Sequence, residues 1–171
     1  MLIKPNWNNF EVNAKGNIQD FFEWFCYLLF CKKYDRPEGI SRYKNQAGIE
    51  TNPIVFGKEV IGWQAKYYQG SLSKHKDDLI LMVDTTANRY QNLTIIEVFT
   101  NSEWGQGRGK NDPVAKTQIE DHAKDNGIKI VWKTSSFFES PFVTQENAAI
   151  SKYFFDLEIR PLQDLVERNA H

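Results

Sequence analysis

The sequence predicts an α/β fold in which a mixed β-sheet is flanked by helices. Apolar residues recur at helical spacing between residues 18 and 33, which indicates a long helix. Two short runs of β-forming residues then flank Gly57-Lys58, a pattern typical of an antiparallel hairpin. Further along the chain, β-type runs alternate with helical stretches, as they do when helices connect neighbouring strands. A hairpin followed by such crossovers gives a mixed sheet.

The first half of the chain contains a lead-in, a helix and the hairpin. Residues 1–16 are mixed and polar, and we predict them as an N-terminal lead-in. A helix is predicted over residues 18–33, with Asn17 as its N-cap, because an asparagine side chain can accept a hydrogen bond from the first turn. The hairpin strands are predicted at residues 54–56 and 60–67.

The second half alternates helices and strands, with a glycine-rich loop at residues 104–109. We predict one folded domain over residues 17–159, followed by a tail or linker at residues 160–171. The predicted elements are a helix from Ser71 or Ser73 to about Tyr90, a strand at 93–99, a helix at 113–126 between Asp112 and Gly127, a strand at 128–132 and a helix at 145–155.

Composition bounds the class of protein without fixing its function. The chain has 171 residues, of which 41% are hydrophobic and 14% aromatic, and this excludes a disordered chain. With 21 basic and 22 acidic side chains, the net charge is −1. Any surface that binds phosphate must therefore be a local patch, and the total charge neither supports nor excludes DNA as a partner.

The two cysteines and the apolar runs predict a cytoplasmic protein. Cys26 and Cys31 lie five residues apart on the predicted helix, so their side chains point in different directions and a mutual disulfide is not expected. The longest apolar run, Phe21 to Phe30, is broken by Glu23 and is too short to cross a bilayer. No signal peptide is recognisable at the start of the sequence, and we expect no membrane association.

The hairpin carries the residues with the clearest chemical potential. Gln64 and Lys66 share one face of the second strand, because alternate side chains of a strand point the same way. Glu50 precedes the first strand, and the turn at residues 57–58 could bring it back beside Gln64. A carboxylate, an amide oxygen and an ammonium group would then meet at one edge. On the pattern alone, a solvated strand face is the more common explanation of Gln64 and Lys66.

Such a group of side chains suits metal-dependent hydrolysis of a phosphodiester. Mg²⁺, with Mn²⁺ as an alternative, prefers oxygen ligands and keeps several water molecules. Glu50 would supply a charged ligand and Gln64 a neutral one. Lys66 would orient the attacking water or stabilise charge that develops on the phosphate.

Several segments of the sequence resemble known nuclease domains. Gly48-Ile-Glu50 and Ile61-Gly-Trp-Gln-Ala-Lys66-Tyr-Tyr resemble the Mrr-like branch of the PD-(D/E)xK superfamily, in which the last motif commonly reads Gln-x-Lys. Ser135–Glu139 and Asn147–Phe155 resemble the end of nuclease domains at the N-terminus of bacterial antiviral STAND NTPases. The resemblance extends over about residues 17–157.

The resemblance implies a restriction-endonuclease-like fold and cleavage of double-stranded DNA with Mg²⁺. It also implies a role in antiphage defence and a fusion to NTPase and sensor modules. Glu50, Gln64 and Lys66 would be catalytic, with Glu50 and Gln64 as metal ligands. The sequence departs from the family pattern in two ways: Glu50 stands where aspartate is usual, and no Pro-Asp precedes it.

Glu23 is a second candidate ligand. It interrupts an aromatic helix, where a buried and unpaired carboxylate would be costly. Related nucleases often place a helix carboxylate near the metal, so Glu23 is assigned to both the catalytic and the metal-binding group. An exposed position at the border of the apolar face is equally compatible with the sequence.

Two basic segments are candidates for contact with the phosphate backbone. Lys74, His75 and Lys76 follow the hairpin at the start of a helix. Arg108 and Lys110 lie in or next to the glycine-rich loop, where glycines permit close approach of a ligand. A solvated helix face and a mobile surface loop are the simpler interpretations.

Three alternatives follow from these observations. A catalytically inactive module of the same fold could bind nucleic acid or mediate assembly. RNA could replace DNA as the substrate, because no feature recognises or rejects a 2′-hydroxyl. Cleavage of both DNA strands needs two active sites or two sequential attacks, and we therefore expect a homodimer or larger oligomer.

Overall fold

A four-stranded sheet lies between two groups of helices in the computed structural model, which describes residues 4–109 and 112–156. The predicted tail at residues 160–171 lies outside the described residues. The α-helices are α1 (Trp7–Ala14), α2 (Ile18–Lys33), α3 (Lys76–Arg89), α4 (Val114–Asp125) and α5 (Ala148–Phe155). The strands are β1 (Ile54–Phe56), β2 (Glu59–Lys66), β3 (Ile95–Thr100) and β4 (Lys129–Lys133). Short 3₁₀-helices span Leu72–His75 and Ser135–Glu139, and a π-helical turn spans Phe142–Glu146.

The sheet is mixed, as the sequence predicts. Its strand order is β1-β2-β3-β4, with β1 antiparallel to β2 and the other neighbours parallel. The hairpin turns at Gly57, whose φ of 62° is a conformation that glycine adopts without steric cost. The structure thus confirms an α/β domain with a mixed sheet flanked by helices.

The two faces of the sheet cover separate apolar cores. Trp63 and Ala65 of β2 lie in one core with aromatic side chains of α1, α2 and α5. Ile96 and Val98 of β3 lie in the other core with apolar side chains of α3 and α4. The separation follows from strand alternation, because successive side chains of a strand point to opposite faces.

The N-terminal residues differ from the predicted lead-in. Residues 7–14 form α1, which begins after Asn6, whose side chain accepts a hydrogen bond from Asn9 N at 3.1 Å. Phe10 is fully buried in the core that α2 also covers. The sequence does not reveal this helix because only two of its eight residues, Phe10 and Ala14, are buried, which is too few to establish a helical period.

Two predicted helix starts also differ in their capping. Asn17 occupies the N-cap position of α2, but its side chain makes no capping hydrogen bond. Pro113, not Asp112, occupies the cap position of α4, and the Asp112 carboxylate instead contacts Lys116 Nζ at 3.3 Å. None of the helices in the described ranges is long and apolar enough to cross a membrane.

A segment before the hairpin packs unusually close to β2. A Cβ atom added at Gly62 would lie 2.8 Å from Cδ1 and 2.9 Å from Cγ2 of Ile49. A Cβ at Gly48, whose φ is 84°, would lie 2.6 Å from Thr86 Oγ1 on α3. The two glycines therefore allow Ile49 to insert between β2 and α3, and this insertion sets the position of the next residue, Glu50.

We expect Gly62→Val to destabilise the fold and to displace Glu50, because the new side chain overlaps Ile49. Overpacking of this kind costs about 1–3 kcal/mol, measurable by thermal or urea denaturation. Ile49→Ala in the same chain should recover part of the loss. Gly105→Val is the matched control, since a Cβ there meets nothing within 4 Å. Equal losses from the two valine substitutions would contradict the assigned role of Gly62.

A buried carboxylate ties α2 to the sheet on the first core's side. Glu97 of β3 is 1% exposed, and it accepts a hydrogen bond from the Tyr34 hydroxyl. Its Oε1 lies 3.6 Å from Lys33 Nζ and 3.7 Å from Lys133 Nζ. Burial lowers the pKa of Lys133 to about 8, an effect that Glu97 opposes and Lys33 reinforces. One buried carboxylate thus faces two ammonium groups, of which that of Lys133 is largely buried and that of Lys33 is exposed.

We expect Glu97→Ala to be among the most destabilising substitutions, because it leaves Lys133 and the Tyr34 hydroxyl without their partner. Breaking a buried ion pair on one side costs about 3–5 kcal/mol. Urea denaturation measures the loss, with the exposed Glu38→Ala as control. A loss below that of the control would show that the ion pair contributes nothing to stability.

Candidate active site

The candidate site is built where α2, β2 and the segment before β1 meet. Glu50 follows Ile49, whose insertion over Gly62 holds this segment against β2. Glu50 N donates to Trp63 O at 2.9 Å, and its carboxylate Oε1 accepts from Ala65 N at 3.4 Å. The Glu50 carboxylate therefore lies at the edge of β2 on the side of β1, beyond the residues of β2 that pair with β1.

The rotation of α2 is fixed by a glutamine one turn before Glu23. Gln19 Nε2 donates to Ala65 O at 2.9 Å, and Gln19 Oε1 accepts from Tyr67 N at 2.9 Å. Because residues four apart lie on the same helix face, Glu23 points toward the same edge of β2. These two hydrogen bonds decide the orientation of Glu23, which the sequence leaves open.

Glu23 and Glu50 meet at this edge and form what we call the carboxyl pair. They lie close enough for the charge of Glu23 to raise the pKa of Glu50. Arg42 Nη1 lies 3.7 Å from Glu23 Oε1, and the Arg42 side chain is 67% exposed. Two carboxyl groups and one solvent-facing guanidinium thus define the charge of the site.

The pKa of Glu50 departs strongly from its ordinary value. Burial raises it most, and the charge and hydrogen bond of Glu23 raise it further, to about 8. The Ala65 N–H and the charge of Lys66 act in the opposite direction without cancelling this effect. With no cation present, the carboxyl pair therefore holds a proton to a higher pH than an ordinary carboxyl group does.

Cys26, one turn beyond Glu23 on α2, lies in the same buried surroundings as the carboxyl pair. Its thiol is fully buried, and burial together with the charges of Glu50 and Glu23 raises its pKa well above the ordinary value. Cys26 and Cys31 are both free, which agrees with the prediction that they form no mutual disulfide.

A cavity of about 500 Å³ opens beside the carboxyl pair, and we call it the aromatic cavity. An adjoining depression of about 320 Å³ contains Arg42, Lys44 and both carboxyl groups of the pair. The main side chains around the aromatic cavity are those of Glu23, Trp24, Tyr27, Arg42, Glu50 and Trp63.

Gln64 and Lys66 line a separate, smaller groove of about 160 Å³, the Lys66 groove. Lys66 Nζ lies 3.4 Å from Asp78 Oδ2 on α3, and the Tyr68 hydroxyl donates to the same Asp78 carboxylate. The contacts with Lys66 and Tyr68 lower the pKa of Asp78 despite partial burial. Asp78 therefore holds Lys66 in place as an ionised partner.

The structure divides the four predicted residues into two separate pairs, so Glu50 and Gln64 do not share one cavity as expected from the sequence. Glu23 and Glu50 lie against the α2 side of β2, whereas Gln64 and Lys66 point toward α3. The pairs approach each other at the strand edge, close enough for the Lys66 charge to lower the pKa of Glu50. The sequence did not predict Asp78, because nothing local links a residue of α3 to the end of β2.

A metal ion at this site would depend on few charged ligands. Among residues 4–109 and 112–156, no group of three or more His, Cys, Asp or Glu side chains could hold a metal ion. The carboxyl pair could supply two oxygen ligands, whereas the Gln64 side chain lies in the groove on the α3 side of β2. Mg²⁺ is commonly bound by one or two carboxylates with the remaining positions filled by water.

The predicted phosphate-binding residues have varied surroundings. Lys74 and Arg108 are exposed, and Lys76 is half-buried. The His75 ring stacks on Tyr68 with centroids 3.9 Å apart, and its Nε2 lies 2.9 Å from Gln69 O. His75 thereby adjoins the Lys66 groove through Tyr68 and Asp78. Lys110, the fifth predicted residue, lies outside the described residues.

No model of a known protein family matches the sequence, and no curated protein matches it either. The case for a function consequently depends on the geometry and charge of the site itself.

Glu50→Gln should raise stability above pH 5 relative to the native chain. The folded-state pKa of Glu50 is raised to about 8, so the native chain loses stability as pH rises from about 4.5 to 8. Glutamine mimics the protonated carboxyl and removes this loss, which we expect to be on the order of 4 kcal/mol at pH 8. Denaturation at pH 4.5 and pH 8 measures the difference.

The control is the exposed Glu38→Gln, which should change stability equally at both pH values. A Glu50→Gln chain whose stability relative to the native protein is the same at pH 4.5 and pH 8 would contradict the raised pKa.

Proposed function

We propose that the chain is a Mg²⁺-dependent endonuclease domain that cleaves phosphodiester bonds of double-stranded DNA. The observation that carries the proposal is the meeting of Glu23 and Glu50 at the edge of the strand that bears Gln64 and Lys66. A mixed sheet flanked by helices is compatible with the proposed restriction-endonuclease-like fold. Mn²⁺ is an alternative cation.

The raised pKa of Glu50 supports a cation at the carboxyl pair. Two carboxyl groups forced together in a half-buried place repel each other when both are ionised. A proton relieves this repulsion in the free protein, and a divalent cation would relieve it more fully. Glu23 and Glu50 would then be direct ligands, with Gln64 as a neutral third donor.

The residues on both sides of β2 have separate tasks in this proposal. A Mg²⁺ ion held by Glu23 and Glu50 would polarise the phosphoryl group of the substrate and make a bound water molecule more acidic. Lys66, fixed 3.4 Å from Asp78, places an ammonium group next to the developing negative charge of the phosphate. Asp78 is then a positioning residue, and Arg42 offers an exposed guanidinium to a neighbouring phosphate.

Contacts with the DNA backbone are assigned to the basic residues near the site. Lys74, His75, Lys76 and Arg108, together with Lys110, would bind phosphates rather than read bases. A net charge of −1 confines this attraction to a local patch, so binding should weaken steeply as salt rises. Assembly as a homo-oligomer, fusion to NTPase and sensor modules, and antiphage defence in the cytoplasm extend the proposal through the family resemblance.

A second candidate function is a catalytically inactive module that binds nucleic acid. The observation that favours it is the separation of the Lys66 groove from the aromatic cavity. In the free protein Lys66 is already paired with Asp78, and the Gln64 side chain faces α3. If DNA does not draw Gln64 and Lys66 toward the carboxyl pair, the protein would bind DNA without cutting it.

Plasmid cleavage with Mg²⁺ separates the two functions. We expect the native chain to nick or linearise supercoiled DNA, and Lys66→Ala and Glu50→Gln to reduce the rate about 100-fold, because each removes a group that acts on the reacting phosphate. Lys58→Ala, which changes an exposed lysine at the hairpin turn, is the matched control and should retain the native rate. A single-stranded RNA incubated under the same conditions tests RNA as the alternative substrate.

Two outcomes would contradict the nuclease proposal. Equal cleavage by native and Lys66→Ala protein would mean that the activity comes from a contaminant or from another site. Binding of DNA without cleavage, at concentrations where light scattering finds a dimer, would favour the inactive module.

A further inference from the structure

Trp24 is a large aromatic side chain that belongs to neither of the two buried cores. It is 45% exposed at the aromatic cavity, on the helical turn that also carries Glu23. Within the described residues its ring contacts are with Phe21, Tyr153 and Phe154, all at interplanar angles between 64° and 78°. These are edge contacts, so no aromatic ring of the described chain stacks in parallel on Trp24.

The other aromatic walls of the cavity are fixed in place. Trp63 is 1% exposed, and its indole Nε1 donates to Thr51 Oγ1 at 2.8 Å. The Tyr27 hydroxyl accepts from Ile40 N at 2.9 Å. Trp24 is thus the exposed ring of a rigid aromatic pocket whose volume, about 500 Å³, is within the range for small-molecule sites.

The charges around the cavity select the part of a nucleotide that can enter it. Asp20, Glu23 and Glu50 contribute three carboxyl groups, and Arg42 is the single cation in the cavity wall of the described chain. In the absence of a bound cation, these carboxyl groups would repel a phosphate group from the cavity, whereas they would not repel an uncharged planar base. Arg42 and Lys44 also line the adjoining depression, which suits the phosphates on either side of the base.

We propose that the aromatic cavity holds one unpaired nucleobase, stacked on Trp24, of the strand that is cut. This inference rests on the proposed nuclease function, because the carboxyl pair lines the same cavity and would act on the phosphate next to that base. The substrate is then a nucleotide outside the base stack. It comes either from a single-stranded segment or from a base turned out of a duplex at a mismatch.

Binding to labelled DNA without divalent cations tests the inference, because no cleavage then occurs. The probes share one strand, presented alone, in a perfect duplex and in a duplex with one central mismatch. We expect Trp24→Ala to weaken binding of the single strand and the mismatched duplex about tenfold, since base stacking on an aromatic side chain is lost. Binding of the perfect duplex should change less than twofold.

Tyr153→Ala is the matched control, because Tyr153 is an exposed aromatic next to Trp24 that does not line the cavity. It should bind all three probes as the native chain does, and Trp24→Phe should restore most of the loss. A fluorescent base analogue, 2-aminopurine, gives a readout with the native chain. Its emission should be quenched when it occupies the position that stacks on Trp24.

Three results would overturn the inference. In the binding measurements, these are equal weakening of all probes by Trp24→Ala, no weakening of any probe, and no quenching with the analogue at any position of the strand. Failure of the nuclease proposal looks different: the probe-specific loss and the quenching would persist while Mg²⁺ produced no cleavage. Cleavage that is equally fast in native and Trp24→Ala protein on the mismatched duplex would refute the base pocket and leave the nuclease proposal intact.

Discussion

The candidate site depends on the insertion of Ile49 between β2 and α3. Gly62 and Gly48 lack the Cβ atoms that would block it, and the backbone of the following residue then bonds to Trp63. Without this close approach Glu50 would lie in solvent, far from Glu23. Packing in the second core therefore controls the chemistry on the opposite side of the strand.

At the carboxyl pair, stability conflicts with the proposed function. Two half-buried carboxyl groups in contact cost free energy once both are ionised, as the raised pKa of Glu50 reflects. Neighbouring groups offset the cost only in part, through one backbone N–H and one exposed guanidinium. Proteins generally retain such arrangements where a charge is bound or a proton is moved.

Sequence patterns predicted most elements of the fold but few of the contacts within the site. The period of apolar residues was strong enough to place α2 at residues 18–33, and strand alternation put Gln64 and Lys66 on one face. Glu23 could not be oriented from the sequence, because contacts of Gln19 with a distant strand set the helix rotation. The Lys66 partner on α3 was missed for the same reason: the contact is formed only by tertiary packing.

The contacts of Gln19 with β2 also bear on aggregation. By bonding the Ala65 carbonyl and the Tyr67 N–H, one side chain satisfies the main-chain groups that an exposed strand end would present to a second molecule. The Glu50 carboxylate accepts a hydrogen bond from the Ala65 N–H and so satisfies this third main-chain group. At residues 65 and 67, this margin of the sheet therefore offers a foreign strand no free main-chain group among those three.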